Sequence, residues 1–245
     1  MSNREIRRPH GASTCFLLIH GFCDTTDAMV TLADYLENYQ IASYSVLLAG
    51  HGTSPENLAS TTWHDWYESA ANGLEKVLAW EYQQTIVAGL SLGSALSLLL
   101  AAKEKSMDGI VLLAPLIKLD SIALKFLPLL KHLMSFRSVD VEEAQQPYDV
   151  KRFKYRREPL SAYEELQKLT KSVREHLPQV TVPTLIIQGT KDTTLNPDYA
   201  EEAYQEISAE EKKLLMLPGA EHVITCHPLI KKAYPEILDF VNSIK

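Results

Sequence analysis

Apolar runs and polar turns follow one another along this chain in a strand-then-helix rhythm. Cys15-Phe16-Leu17-Leu18-Ile19 is unbroken apolar sequence and predicts a strand buried on both faces. Ala28 to Tyr39 predicts a helix, with Thr26 or Asp27 as its cap. Ser43 to Leu48 predicts the next strand, and Trp63 to Trp80 a long amphipathic helix. Thr85-Ile86-Val87-Ala88 predicts another strand, and Ala95 to Ala102 a buried helix close behind it. Gly109 to Pro115, Pro183 to Ile187 and Lys213 to Leu217 continue the strand series. Asn196-Pro197-Asp198 opens a helix with Asn as cap and Pro at the first helical position, and Pro228 to Ser243 closes the chain as an amphipathic helix. Such alternation predicts an α/β fold, a mostly parallel sheet with helices on both faces.

Between residues 116 and 179 the rhythm stops. Patterning there is helical, charges cluster, and no convincing strand is visible. Its first part, Ser121 to Phe136, is almost wholly apolar apart from Lys125, Lys131 and His132. We expect residues 116–179 to form a small helical cap inserted before the acid-bearing strand, over the carboxyl edge of a core made of 1–115 and 180–245.

Composition narrows the partners. A length of 245 residues suits one large domain with a substantial core. The net charge of −7 argues against nucleic acid or an anionic membrane surface. Cys15, Cys23 and Cys226 are odd in number and lack C-x-x-C spacing, which argues against a disulfide framework or zinc site and fits reduced thiols in a cytoplasmic protein. The polar start, Met1 to His10, lacks the apolar stretch of a signal peptide, and no run reaches the roughly 18 apolar residues of a membrane span. Neither H-E-x-x-H nor G-x-x-x-x-G-K-[ST] occurs, so neither metal nor cofactor is expected.

The chemistry centres on Gly89-Leu90-Ser91-Leu92-Gly93. Lodged between a strand and a helix, this G-x-S-x-G places a serine at the apex of a strained turn, beside a helix N-terminus that favours developing negative charge. A serine hydroxyl needs a general base, which in turn benefits from an orienting carboxylate. Loops that follow strands gather at one edge of a parallel sheet. His222 follows the last strand and Asp192 the strand before it, so the chain order is Ser91, Asp192, His222, the order of this elbow architecture. Blander readings stand beside these roles: a helix-capping serine, an ordinary loop aspartate and a surface-turn histidine. His64, His132, His176 and His227 are not at strand ends. An oxyanion needs two N–H donors. Leu92, after the nucleophile, supplies one, and Phe22, in the loop after the first strong strand, is the choice for the second, with its ring walling the acyl pocket. His20 is expected to brace that loop, Gly50-His51-Gly52 to be either a pocket rim or a glycine-requiring turn, and Cys23 to fill space.

With these segments in view, the chain resembles the α/β-hydrolase superfamily, and within it the bacterial carboxylesterase and monoacylglycerol lipase group, most of all the small thermostable carboxylesterases of bacilli. Leu17-Leu18-Ile19-His20-Gly21-Phe22, Gly50-His51-Gly52, Asp65-Trp66, the elbow, Asp192 with Asn196-Pro197-Asp198, and His222-Val223-Ile224-Thr225 carry the likeness, which runs from about residue 15 to the C-terminus. It implies a serine esterase for short to medium acyl esters, with Ser91, Asp192 and His222 as triad and the Phe22 and Leu92 N–H groups as oxyanion donors. Two residues depart from the pattern. Ser94 stands where many members carry glycine, and Glu221 replaces the glycine that commonly precedes the histidine. A Glu221 carboxylate facing the imidazole would move activity to higher pH. The expected partner is a small ester, with a monomer as default and a dimer as the alternative. Three other readings remain open: a monoacylglycerol lipase with Ile122 to Phe136 lining a longer tunnel or touching lipid, a hydrolase of amide or carbon–carbon bonds, and a ligand-binding protein on the same fold.

Overall fold

A computed structural model describes residues 6–7, 11–120 and 134–244. Seven strands form the main sheet: β1 (Ile6–Arg7), β2 (Thr14–Ile19), β3 (Ala42–Val46), β4 (Gln84–Leu90), β5 (Gly109–Leu113), β8 (Thr184–Gly189) and β9 (Lys212–Leu217). They lie in the order β1-β3-β2-β4-β5-β8-β9, all parallel except the antiparallel edge strand β1. From β2 the chain moves outward to β3 and then returns to β4 on the other side. The strand order therefore reverses between β2 and β4, where the carboxyl ends leave a crevice.

Alternation along each strand builds two cores. Cys15, Leu17 and Ile19 of β2 face one, while Phe16 and Leu18 face the other. The first core is covered by α3 (Trp63–Leu78), α4 (Leu92–Lys103), α5 (Leu160–His176) and α6 (Asp198–Glu206). The second is covered by α1 (Val30–Asn38) and α7 (Tyr234–Ser243). Helix α4 is buried from Leu92 to Ala102, as its all-round apolar sequence requires. A further short helix, α2 (Pro55–Ala59), lies in the β3–α3 connection, opened by Ser54 Oγ accepting the Asn57 N–H at 3.1 Å.

Element boundaries differ from expectation by local chemistry. The helix expected from Ala28 begins as a 3-10 turn at Thr26–Met29, with Thr25 as its cap. The closing helix is split: a 3-10 turn covers Pro228–Lys232 and α7 starts at Tyr234, because Pro235 has no N–H to continue the ladder. At α6 the helix starts one residue later than expected, at Asp198 with Pro197 in the cap position, while the Asn196 side chain accepts the Asp198 N–H at 3.1 Å ahead of it.

One expectation is corrected. The stretch 116–179 contains strands, β6 (Phe136–Ser138) and β7 (Arg157–Pro159), paired antiparallel ahead of α5. Each has three residues, and Phe-Arg-Ser and Arg-Glu-Pro show no alternation to read. Most of the apolar run from Ser121 to Phe136, with Lys125, Lys131 and His132, lies outside the described residues. No described helix is long and apolar enough to cross a membrane.

Candidate active site

The elbow is built by close approach. Ser91 takes φ 53° and ψ −110° between β4 and α4, and its N–H donates to Leu113 O on β5 at 2.8 Å. A Cβ on Gly89 would lie 2.1 Å from Gly93 O, and one on Gly93 would lie 2.1 Å from Ile19 O. Only glycine fits at either end of a turn this tight. Ser94 also helps to hold it: its buried hydroxyl donates to Ser91 O and accepts the Leu116 N–H at 3.0 Å, joining the elbow to the β5 exit.

Asp192 and His222 are brought together by a second close approach. A Cβ on Gly189 would sit 2.4 Å from Ala220 O, and Lys191 N donates to that same oxygen at 2.9 Å, so the loops after β8 and β9 run in contact. His222 Nδ1 donates to Asp192 Oδ2 at 2.7 Å, and Nε2 lies 2.9 Å from Ser91 Oγ. Asp192 also accepts from Gln188 Nε2 (3.1 Å) and from the N–H groups of Thr194 (2.8 Å) and Leu195 (2.9 Å). Burial works against the carboxylate's charge, but the His222 bond and charge, the Leu195 N–H and Gln188 outweigh it and hold its pKa below the usual aspartate value. An ionised Asp192 keeps the proton on Nδ1 and leaves Nε2 free to accept the serine proton.

The loop after β2 faces the elbow. An atom built as Cβ on Gly21 would lie 3.7 Å from Ser91 Cβ. Among the described residues, neither the Phe22 nor the Leu92 N–H meets a protein acceptor, and Leu92 opens α4. His20 braces this loop. Its Nδ1 donates to Gly21 O at 2.8 Å and its Nε2 accepts the Leu48 N–H at 3.2 Å, a pattern that requires the neutral ring. Burial, with a smaller push from His51, brings its pKa down to about 3. Cys23 is fully buried, and burial pushes its pKa well up, so it is a poor thiolate source.

A cavity of about 520 Å³ opens over these loops, lined by Phe22, Ser91 and His222 from the sheet edge and by residues between Leu116 and Leu166 from the inserted segment. Gly50-His51-Gly52 does not line it. Both glycines have positive φ, and the loop instead docks the inserted segment: Tyr155 OH donates to Gly50 O at 2.9 Å and accepts the Thr53 N–H at 3.0 Å. His51 stacks edge-on to His20, Phe22 and Trp66. Glu221 lines the cavity, but no hydrogen bond joins its carboxylate to the ring of His222. His64, His176 and His227 are engaged elsewhere, by Trp63, Ser172 O and the Leu229 N–H respectively.

Several cavity residues were not read from the sequence. Gln188, which donates to Asp192 without lining the cavity, was missed as well, although a polar residue near the end of an apolar strand was a visible signal. Tyr148, whose hydroxyl accepts the Val223 N–H at 3.2 Å, and the charged side chains Asp24, Arg137, Arg152, Lys154 and Glu158 had none, because pairings such as Tyr148 with Val223 and Arg152 with Asp24, 75 and 128 residues apart, have no local pattern. Among the described residues, no group of three or more His, Cys, Asp or Glu is arranged to hold a metal ion.

Comparison with known proteins places the chain among relatives. The model of the family described as "Serine aminopeptidase, S33" matches residues 11–228. A carboxylesterase of Bacillus subtilis (strain 168) is 25% identical over 235 residues, 96% of this chain and 94% of that protein. A thermostable monoacylglycerol lipase of Bacillus sp. (strain H-257) is 34% identical over 218 residues, 85% of this chain and 82% of that protein. Among solved structures, one described with LipS and LipT, two metagenome-derived lipolytic enzymes, superposes with a TM-score of 0.88 at 25% identity, covering 98% of each chain. A soluble variant of monoglyceride lipase from Saccharomyces cerevisiae shares the fold, with a TM-score of 0.81 at 19% identity over 96% of this chain and 88% of that one.

Proposed function

The chain belongs to the serine aminopeptidase S33 family, as an α/β-hydrolase of the esterase and lipase type, and from that premise we propose that it is a carboxylesterase acting on short- to medium-chain acyl esters through an acyl-enzyme. The observation that carries this reading is the run of bonds from Asp192 Oδ2 through His222 to Ser91 Oγ, 2.7 Å and 2.9 Å, at the floor of the cavity.

In the proposed mechanism Ser91 Oγ attacks the ester carbonyl while His222 Nε2 takes its proton. Asp192 fixes the imidazole tautomer and stabilises the imidazolium. The Phe22 and Leu92 N–H groups receive the oxyanion of the tetrahedral intermediate. Collapse of that intermediate breaks the bond to the alcohol, which leaves with the proton from His222. Water, deprotonated by the same ring, then frees the acid and restores Ser91. The described residues of the 116–179 insertion act as a cap over this site, and no cofactor takes part.

Ester chemistry is favoured over amide or carbon–carbon cleavage by the relatives named as a carboxylesterase and a monoacylglycerol lipase. Monoacylglycerol hydrolysis is the second reading, favoured by the 34% identity to the lipase. Turnover of p-nitrophenyl esters from acetate to palmitate separates them. A maximum at short or middle chains, reduced by about 10³-fold or more in Ser91→Ala with the fold intact, supports the carboxylesterase. A maximum at long chains selects the lipase. Ser91→Ala protein with near-native rates, or native protein that a fluorophosphonate fails to label, overturns the role given to Ser91.

A further inference from the structure

Hydrolysis of a simple fatty ester does not explain the charge in the wall of this cavity. Arg137, Arg152 and Lys154 line it, together with Asp24 of the β2 loop and Glu158 of β7. Arg152 Nη1 pairs with Asp24 Oδ2 at 2.5 Å. Glu158 takes Lys154 Nζ at 2.9 Å on one oxygen and Arg137 Nε at 3.0 Å on the other, which also accepts the Tyr163 hydroxyl. The Asp24, Glu158 and Arg152 side chains are only 3%, 1% and 6% exposed. Three cations thus face two buried carboxylates, and the buried Nε of Arg152 has no acceptor. The sequestered charges balance, Arg152 and Lys154 against Asp24 and Glu158; the cation in excess is half-exposed Arg137, which lines the cavity, and a hydrocarbon chain is better served by a hydrocarbon wall.

The network borders the reacting end of the cavity. Tyr163 meets the Phe22 ring edge-on at 5.1 Å, and Asp24 is two residues from Phe22. The two remaining carboxylates of the lining stand apart: Glu143 is on an exposed turn and Glu221 is beside His222, and no described ion pair joins either to the network.

We propose that this wall binds a carboxylate carried by the substrate, so that the preferred esters are anionic in their acyl or alcohol half. The inference rests on the esterase reading above and narrows its substrate class. A carboxylate supplies the negative charge that the network lacks, and guanidinium forks match its geometry.

The test compares kcat/KM of the full chain for monoethyl succinate (charge on the acyl half), O-butyrylglycolate (charge on the alcohol half) and neutral ethyl butyrate, then repeats it in Lys154→Met and Arg137→Gln. One anionic ester is expected to exceed ethyl butyrate by about tenfold, through a lower KM, and each substitution to cut that ratio by about fivefold. Arg137 is half exposed, so Arg137→Gln carries the test if Lys154→Met does not fold. A native ratio at or below one, or a ratio that survives substitution, overturns the proposal while active turnover of ethyl butyrate leaves the esterase reading standing. Failure to turn over any ester, p-nitrophenyl butyrate included, overturns that reading and this proposal with it.

Discussion

Ser91 occupies a backbone region that costs a non-glycine residue about 1–3 kcal/mol, and neighbouring glycines and the bond to Leu113 O hold it there. Asp192 is tied as firmly, by two N–H groups, Gln188 and His222. Asp192→Asn keeps the shape but offers an N–H where His222 Nδ1–H must donate. The ring would turn to the tautomer that cannot accept from Ser91, and kcat on p-nitrophenyl butyrate should fall by about 10³–10⁴-fold with little change in melting temperature. Two other rings govern stability in acid. Burial holds the pKa of His20 at about 3 and that of His51 at about 4, against 6.5 for the free side chain. From about pH 6.5 downward the unfolded chain takes up protons that the folded chain refuses, so stability is lost as pH falls, by about 1 kcal/mol per pH unit for each ring. For His51 the loss stops near pH 4 and for His20 near pH 3. Urea midpoints at pH 7 and pH 5 should therefore differ less in His51→Gln than in the native chain.

At the level of elements, short loops carry more of the site than the strands and helices they join. Ser94, at the third position of α4, links the elbow carbonyl to the Leu116 N–H beyond β5. Ser94→Ala leaves that buried N–H without a partner and should cost about 1–3 kcal/mol in a denaturant titration, without touching the reacting atoms. The serine that departs from the glycine of related elbows is thus a structural link in this chain.

Across the whole molecule, the inserted segment is fastened to the sheet edge at widely separated points: Arg152 on Asp24, Tyr155 on Gly50, Tyr148 on Val223, and Glu165 accepting the Trp63 N–H. Arg152→Met strands a fully buried Asp24, and such half-removed pairs cost about 3–5 kcal/mol. Stability should recover substantially in the double variant Asp24→Leu with Arg152→Met, which removes both charges. A double-mutant cycle on unfolding free energy measures the coupling.

The sheet, its covering helices and the elbow were legible in the sequence because each is written in local periodicity: apolar runs for β2, β4 and β5, an all-round apolar α4, glycines four residues apart around Ser91. The candidate triad was legible for a related reason, since residues after parallel strands must gather at one edge. Strands β6 and β7 were not, being three residues each and held by a partner about 20 residues away. Neither was the charged wall, nor the docking role of Gly50-His51-Gly52. Periodicity reports which face of an element is buried, whereas pairings such as Arg152 with Asp24, 128 residues apart, arise only when the folded chain brings two loops together and excludes water from between them.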